Sequence, residues 1–414
     1  MIDSTFFSVS VRRATPSRIS AVVVALLVLM GSPVPADEAV DVDTKTSNTL
    51  RIATYNASLY GKKAGDIRER LKDGRDRQAE NIAAVVQTVR PDILLVNEID
   101  FDTNSETAKL VAEKYFAVGR GQRQGIEFPY VYGAPSNTGT DSSLDLDNNG
   151  KTGEPSDAWG FGVYPGQYSM AVFSRFPIAV EQIRTFQTFL WKDLPGAIRP
   201  VDPDSNQPYY DDATWNQLRL SSKNHIDVPI NVDGTTIHVL ASHPTPPVFD
   251  GPEDRNGCRN HDEIMFWNLY LSDADSKVLV DDAGNAGGLA KDASFVIMGD
   301  LNADPHAGDG RRDAIGGLLS HGRVQDPQPH SEGAVEEARQ KGSSDLEKAK
   351  NDTASFGRNG NLRADYVLPS RTLMLKDSGV FWPKRDQDNR DAIAASDHRL
   401  VWIDVTIPRD VDSK

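Results

Sequence analysis

Five short polar motifs each stand at the end of an apolar run: Thr54-Tyr55-Asn56, Leu95-Val96-Asn97-Glu98, Ala241-Ser242-His243, Gly299-Asp300-Leu301-Asn302 and, just ahead of a further apolar run, Ser396-Asp397-His398. Their side chains form a coherent chemical set. Glu98, Asp300 and Asp397 offer hard carboxylate oxygens, which suit Mg²⁺ or Mn²⁺. His243 and His398 can donate to a phosphoryl oxygen or move a proton near neutral pH. Asn56 and Asn302 can orient phosphate or water without adding negative charge. Cleaving a phosphate ester requires this inventory: charge neutralised on the non-bridging oxygens and a water held in line for attack. Any one motif alone is weak. Asn97 reads as a turn residue. Asp300 could equally cap a helix, although Pro305 and the Gly-containing sequence after it argue against a long helix there.

Elements that could position these residues alternate along the chain. Residues 50–57 read as a strand, 78–89 as a helix ended by Pro91, and 93–97 as a short buried strand. Further strands are expected at 169–174, 178–186, 295–298, 363–368 and 400–407. Residues 226–232 and 235–242 read as a hairpin around Asp233-Gly234. A helix is expected at 264–271. No internal repeat is visible. Three stretches read as surface insertions: 119–167, 189–216 and 331–360, the last charged, poor in apolar residues and expected to be mobile. This is the pattern of one α/β catalytic domain over 49–408, with a linker at 37–48.

Taken in order, the motifs resemble the endonuclease/exonuclease/phosphatase superfamily, of the pancreatic deoxyribonuclease type, from about Leu50 to Val405. Gly-Asp-x-Asn at 299–302 and Ser-Asp-His at 396–398 are the most specific parts. Arg363-Ala364-Asp365-Tyr366 and Ser174-Arg175-Phe176-Pro177-Ile178 add to the likeness. The resemblance implies a four-layered α-β-β-α sandwich, with two mixed, largely antiparallel sheets packed face to face. It implies roles as well. Glu98 would be the principal metal ligand, with Asn56 and Asp397 helping to hold the metal and its waters. Asp300 would position or deprotonate the attacking water, and Asn302 would contact phosphate. His398 would act on the phosphoryl group with Asp365 orienting its ring, and His243 would be a second phosphate-binding histidine. Proposals for the family differ on which group is the base, and that role is left open.

Weaker signals lie outside these motifs. Asn260 reads as the N-cap of the helix that follows it. Arg255, Arg259 and His261 would then flank a helix N-terminus as a phosphate cradle, or simply line a solvated loop. Arg219, Lys223 and His225 read as a solvated strand face. Asp145, Asp147 and Asn149 match the start of a calcium loop, for which a structural Ca²⁺ is the expected ion. Position twelve of that loop is Ser156 in place of an acid, with Glu154 and Asp157 nearby. The aromatic residues Trp159, Phe161, Tyr164, Trp191, Tyr209, Tyr210 and Trp215 concentrate in the insertions, where packing onto the body is the expected role. The single cysteine, Cys258, excludes an internal disulfide and reads as a plain loop residue.

The 414 residues are 38% hydrophobic and 25% charged, with a formal net charge of −15. Residues 1–36 carry a basic stretch (Arg12, Arg13, Arg18), an apolar run at 19–30 and small residues at Val34-Pro35-Ala36, which is the pattern of a signal peptide. Their net charge is +2, so the mature chain stands near −17. Strong acidity disfavours tight, non-specific binding of duplex nucleic acid. A nuclease is still compatible with it, because a bound metal can carry the local positive charge. The leading expectation is therefore an exported phosphodiesterase, periplasmic or extracellular, with nucleic acid or a nucleotide as substrate. The alternatives are a phosphomonoesterase, a phospholipase C- or sphingomyelinase-like enzyme acting on a lipid or inositol head group, and an inactive binding module on the same fold. A monomer with no stable protein partner and no transmembrane segment after cleavage is expected.

Overall fold

A computed structural model describes residues 49–408. The expected signal peptide at 1–36 and the linker at 37–48 lie outside the described residues. The strands are β1 (Leu50–Leu59), β2 (Ile93–Ile99), β3 (Tyr130–Ala134), β4 (Ser169–Ser174), β5 (Arg184–Thr185), β6 (His225–Val232), β7 (Thr235–Ser242), β8 (Ser294–Asp300), β9 (Ala354–Ser355), β10 (Asn361–Leu362), β11 (Asp365–Pro369), β12 (Met374–Val380) and β13 (Val401–Thr406). One sheet runs in the order β12-β13-β1-β2-β4-β3 and the other β11-β8-β7-β6-β5, with β9 and β10 as a small separate pair. Among the strands of the described residues, β1/β2 and β7/β8 alone pair in parallel, so both large sheets are mixed and mostly antiparallel.

Side-chain alternation builds the layers. Successive strand residues face opposite sides of a sheet. Leu50 and Ile52 of β1 and Ile93 and Leu95 of β2 join Ile237, Val239, Val296 and Met298 in the core between the sheets. Ala53, Tyr55, Leu94 and Val96 face the other way, against Ile82, Val85, Val86 and Val89 of the helix Arg77–Val89. Leu240, Phe295 and Ile297 likewise face Phe266, Trp267 and Tyr270 of the helix Arg255–Ser272. The result is the expected α-β-β-α sandwich. Both surfaces of each central strand are apolar because both are covered.

Local signals explain several boundaries. Asp76 caps the helix Arg77–Val89 by accepting from Ala79 N, and Arg90 closes it at φ +56° ahead of Pro91. Asp233 and Gly234 both adopt positive φ, as a two-residue hairpin turn requires.

Some expectations need correction. The helix begins at Arg255, so Asn260 lies inside it and is no N-cap; Cys258 is a buried helical residue and not a loop residue. Asn97 is a buried strand residue in β2 that accepts from Thr54 Oγ1, not a turn. Ile178 to Phe186 forms one bridge, a short 3₁₀ turn and the two-residue β5, not a continuous strand. The 331–360 stretch folds into the helices Glu332–Gln340 and Leu346–Ala349 and the strand β9. The insertion at 119–167 contains the edge strand β3.

Candidate active site

The five motifs meet at one rim of the sandwich. Asn56 and Glu98 come from β1 and β2, His243 follows β7, Asp300 ends β8, Asp365 opens β11 and His398 precedes β13. The parallel pairs β1/β2 and β7/β8 carry their C-terminal ends to the same edge. At that edge β1 and β2 are irregular. Their register shifts between Asn56 and Leu59, and that of β2 on β4 shifts between Asn97 and Ile99. Glu98 is the extra residue in this bulge, with φ +57°. A bulge re-aims one side chain, and left-handed backbone at a non-glycine residue is the kind of strain that clusters at functional sites.

Asn56 organises the carboxylates. Its Nδ2 donates to Glu98 Oε1 and to Asp300 Oδ2, both at 3.0 Å. Its own Oδ1 is fixed by Ser58 N at 3.1 Å. Asp300 Oδ2 also lies 3.4 Å from His243 Nε2 and 3.6 Å from His398 Nε2, and His243 Nε2 is 4.0 Å from Glu98 Oε1. On its far side His398 presents Nδ1 to Asp365 Oδ2 at 2.9 Å. Two three-donor groups result, Glu98–His243–Asp300 and Asp300–Asp365–His398, with the ligand atoms of each within 4.8 Å of one another.

Burial sets the protonation chemistry. It pushes Asp300 up to about 7, partly offset by the attraction of His398. Burial also raises Glu98, against the hydrogen bond from Asn56. Burial opposes charge on His398, but Asp365 and Asp300 overcome it and hold the imidazolium up to about 10. His243 goes the other way. Buried, and repelled by Lys223 and His398, it falls well below the usual imidazole range. Two histidines at one site thus take opposite charge states near neutral pH.

The remaining predicted residues fall into place unequally. Asn302, at φ +51°, donates its backbone N–H to Asp300 Oδ1 at 3.0 Å and its Nδ2 to Pro244 O at 3.1 Å. It therefore ties the β8 turn to the segment after His243. Asp397 is exposed at the edge, with Ser58 Oγ 3.3 Å from its Oδ1, outside both three-donor groups. The basic trio lies within the helix Arg255–Ser272. Arg255 pairs with Glu253 and stacks over Tyr209. Arg259 gives its N–H groups to the carbonyls of Leu220, Trp159 and Arg219. His261 sits between Asp262 and Asp313. Asn260 instead clamps Thr245 O at 2.8 Å and Leu301 O at 3.0 Å, bracing the two site-bearing loops.

Asp145 and Asp147 converge with Asp157, while Asn149 turns its amide nitrogen toward Asp147 and Glu154. The insertion aromatics mostly pack inward. Trp191 donates to Asp262 Oδ2, and Tyr209 and Tyr210 meet edge to face. Phe161 stays exposed.

Three residues that contribute to the site carried no usable sequence signal. Thr353 donates its hydroxyl to Asp365 Oδ2 at 2.8 Å, Phe356 sets its ring edge-on to His398 at 5.4 Å, and Lys223 is a buried residue attracted by the charges of Glu98 and Asp300. The first two sit in the polar 331–360 stretch. Lys223 lies in a short polar run that reads as surface.

The model of the Endonuclease/Exonuclease/phosphatase family matches residues 53–398, a span that includes every motif residue from Asn56 to His398. Among solved structures, the chain is similar to an endonuclease/exonuclease/phosphatase from Beutenbergia cavernae at 17% identity, covering 87% of this chain and 72% of that one, with a TM-score of 0.45. It is similar to sphingomyelinase C from Streptomyces griseocarneus at 16% identity, over 86% and 99% of the two chains, with a TM-score of 0.41. A mannosyl-6-phosphatase from Bacteroides thetaiotaomicron is 15% identical over 86% and 100%, with a TM-score of 0.44. No curated protein matches the chain. The chain belongs to the endonuclease/exonuclease/phosphatase family.

Proposed function

We propose that the protein is an exported, divalent-metal-dependent hydrolase of phosphate esters that acts on phosphodiesters. One observation carries this reading. Asp300 Oδ2 stands within 3.0–3.6 Å of Asn56, His243 and His398, so the proton donors and acceptors of a hydrolytic step surround one small volume. The donor set fits a hard cation. Glu98, His243 and Asp300 bring ligand atoms within 4.8 Å of one another, and a buried and a half-buried carboxylate at that range call for a compensating positive charge. Mg²⁺ or Mn²⁺ bound there would neutralise charge on the ester's non-bridging oxygens.

The chain's own groups supply the rest. His398, protonated across the neutral range, donates from Nε2 to the phosphoryl group or leaving oxygen, while Asp365 holds its ring. Asp300, which titrates near 7, orients a water and takes its proton. His243, held neutral by burial, keeps a nitrogen lone pair for the cation, and the amide of Asn302 presents an uncharged hydrogen-bonding group to the phosphoryl oxygens. The formal charge of −15 favours a short or isolated ester over a long polyanion. Export rests on the leader pattern at 1–36 and is tested by the N-terminal sequence of protein recovered outside the cytoplasm.

The activity test is a panel of bis-p-nitrophenyl phosphate, p-nitrophenyl phosphate, duplex DNA, RNA, inositol phosphates and sphingomyelin with Mg²⁺, Mn²⁺ or EDTA. Hydrolysis of at least one diester, abolished by EDTA and by His398→Ala, is expected. Turnover indifferent to both would overturn the reading.

A further inference from the structure

Lys223 lies in the short run 221–224 that leads into β6. It is only 7% exposed. The run is firmly held. Asn137 N donates to Lys223 O at 2.9 Å, Ser222 N donates to Glu263 Oε1 at 2.7 Å, and Asn224 Nδ2 donates to Pro135 O at 3.0 Å. The side chain is placed differently from its backbone. Among the described residues its ammonium has no hydrogen-bond acceptor and no carboxylate within 4 Å. Burial lowers its affinity for a proton; Glu263, Glu98 and Asp300 work against this by attracting the charged form, and Arg259 repels it. In turn it acts on His243.

His225 pairs with Ser242 across β6 and β7, and Glu263 bridges Ser222 N and Thr245 N, so Lys223 stands at the strand end beside the His243 segment, with no ion pair to a site carboxylate among the described residues. Glu263 is already taken, since its two oxygens accept from Ser222 N, Ser222 Oγ and Thr245 N at 2.6–3.0 Å. The stem is buried but Nζ keeps access to solvent, so the head is open to an anionic ligand that would complete its hydrogen bonds. The neighbouring groups that face a substrate are neutral or anionic, apart from His398. A fixed cation on the β6 side would complement the imidazolium on the β13 side.

We propose that Lys223 is a substrate-binding residue whose ammonium engages a non-bridging oxygen of the phosphoryl group. This rests on the phosphoesterase reading above and adds a named anion contact to it.

The test uses the full mature chain with Lys223→Gln, which keeps length and polarity and removes the charge. Inorganic phosphate binding is measured by calorimetry in EDTA, and ester hydrolysis is measured with saturating Mn²⁺. The expected result is phosphate binding at least ten-fold weaker and a ten- to hundred-fold loss of kcat/KM, with the melting temperature of the variant close to that of wild type. Lys223→Arg, which keeps the charge, should recover phosphate binding to within about five-fold. Unchanged phosphate affinity in a folded Lys223→Gln protein that still hydrolyses esters would overturn the Lys223 assignment alone. Absence of metal-dependent hydrolysis in the wild type would instead overturn the underlying function. If both variants fail to fold, a phosphate soak of wild-type crystals decides. An anion oxygen within hydrogen-bonding reach of Lys223 Nζ supports the assignment, and an anion bound elsewhere overturns it.

Discussion

His398 Nδ1 lies 2.9 Å from Asp365 Oδ2, and the same oxygen accepts the hydroxyl of Thr353 at 2.8 Å. One carboxylate oxygen thus fixes both the ring's tautomer and its charge. Nδ1–H is spent on Asp365, which leaves Nε2 to face Asp300 and the substrate. Asp365→Asn removes the negative charge that holds His398 protonated, so His398 should return toward the ordinary imidazole range. Loss of a charged orienting partner of this kind typically costs about 10²- to 10⁴-fold in kcat. The loss should be larger at pH 8.5 than at pH 6, because an unassisted imidazole is neutral at the higher value. A pH–rate profile of the variant checks this, and a pH-independent loss would remove His398 from the proton-donor role.

Thr353 extends the same relationship. Its Oγ1 also accepts the amides of Ala364 and Asp365 at 3.0 and 2.9 Å. Thr353→Val keeps the shape but strands two buried N–H groups and removes one of the two partners of Asp365 Oδ2. A stability loss of about 1–3 kcal/mol is expected from the unsatisfied groups, with kcat reduced roughly ten-fold through a looser Asp365. Thr353→Ser should restore both. Denaturant titration and steady-state kinetics on the two variants separate the effects.

Asn56 keeps Glu98 and Asp300 apart by donating to both. Asn56→Asp would place a third carboxylate between them. Without metal the variant should lose about 3 kcal/mol, the scale of a broken buried polar pairing. The deficit should shrink as pH falls, since protonating any of the three relieves the repulsion. Mn²⁺ should raise the melting temperature of the variant more than that of wild type. Equal metal responses would show that Asn56 stands outside the cation's immediate surroundings.

How much of this was legible beforehand divides by the range of the signal. Glu98 and Asp300 each close an apolar run whose periodicity marks a strand and His398 stands just ahead of another, so their arrival at one rim follows from the pattern of strand ends. Thr353 and Phe356 reach the site only because the polar 331–360 stretch folds back. Arg399 N donates to Thr353 O and Ser355 N donates to Asp397 O, long-range pairings that leave no local periodicity. Lys223 and His225 alternate with polar neighbours just as a solvated strand would, yet both are buried because Glu263 and the insertion at 119–167 cover them. Arg259 shows the reverse error. Basic residues beside a catalytic histidine suggest anion binding, but the helix starts at Arg255, and the guanidinium is consumed by backbone carbonyls that had no other donor.

Gly299 sits one residue before Asp300 at φ +148°, and a Cβ there would meet Ser242 O at 2.0 Å. The close approach of β8 to the end of β7 is what brings Asp300 beside His243. Gly299→Ala must therefore push these strand ends apart. A stability loss of more than about 4 kcal/mol is expected, at the upper end for single substitutions. Any folded fraction should bind Mn²⁺ more weakly, because Asp300 moves with the strand. Calorimetric metal titration of protein purified at low temperature checks the second effect independently of the first.

His225 supplies a pH dependence that is independent of catalysis. It is buried in the five-stranded sheet's outer core, with Nδ1 2.7 Å from Ser221 Oγ and Nε2 2.8 Å from Glu263 O. The carbonyl can only accept, so Nε2 carries the hydrogen and Nδ1 accepts from the serine; the ring is neutral. Burial lowers its pKa to about 4, despite the nearby Glu263. The unfolded chain therefore binds a proton near pH 6.5 that the folded chain refuses until about pH 4. Its contribution is fully present above pH 6.5 and is lost as pH falls toward 4, amounting to roughly 3 kcal/mol at 1.36 kcal/mol per unit. Replacing His225 with Gln should flatten this part of the stability curve while lowering stability at pH 8, where the neutral ring's packing against Phe266 and Trp267 is forfeited. Urea titrations at pH 4.5, 5.5, 6.5 and 8 on both proteins measure the difference, and parallel curves would show that the acid sensitivity arises elsewhere.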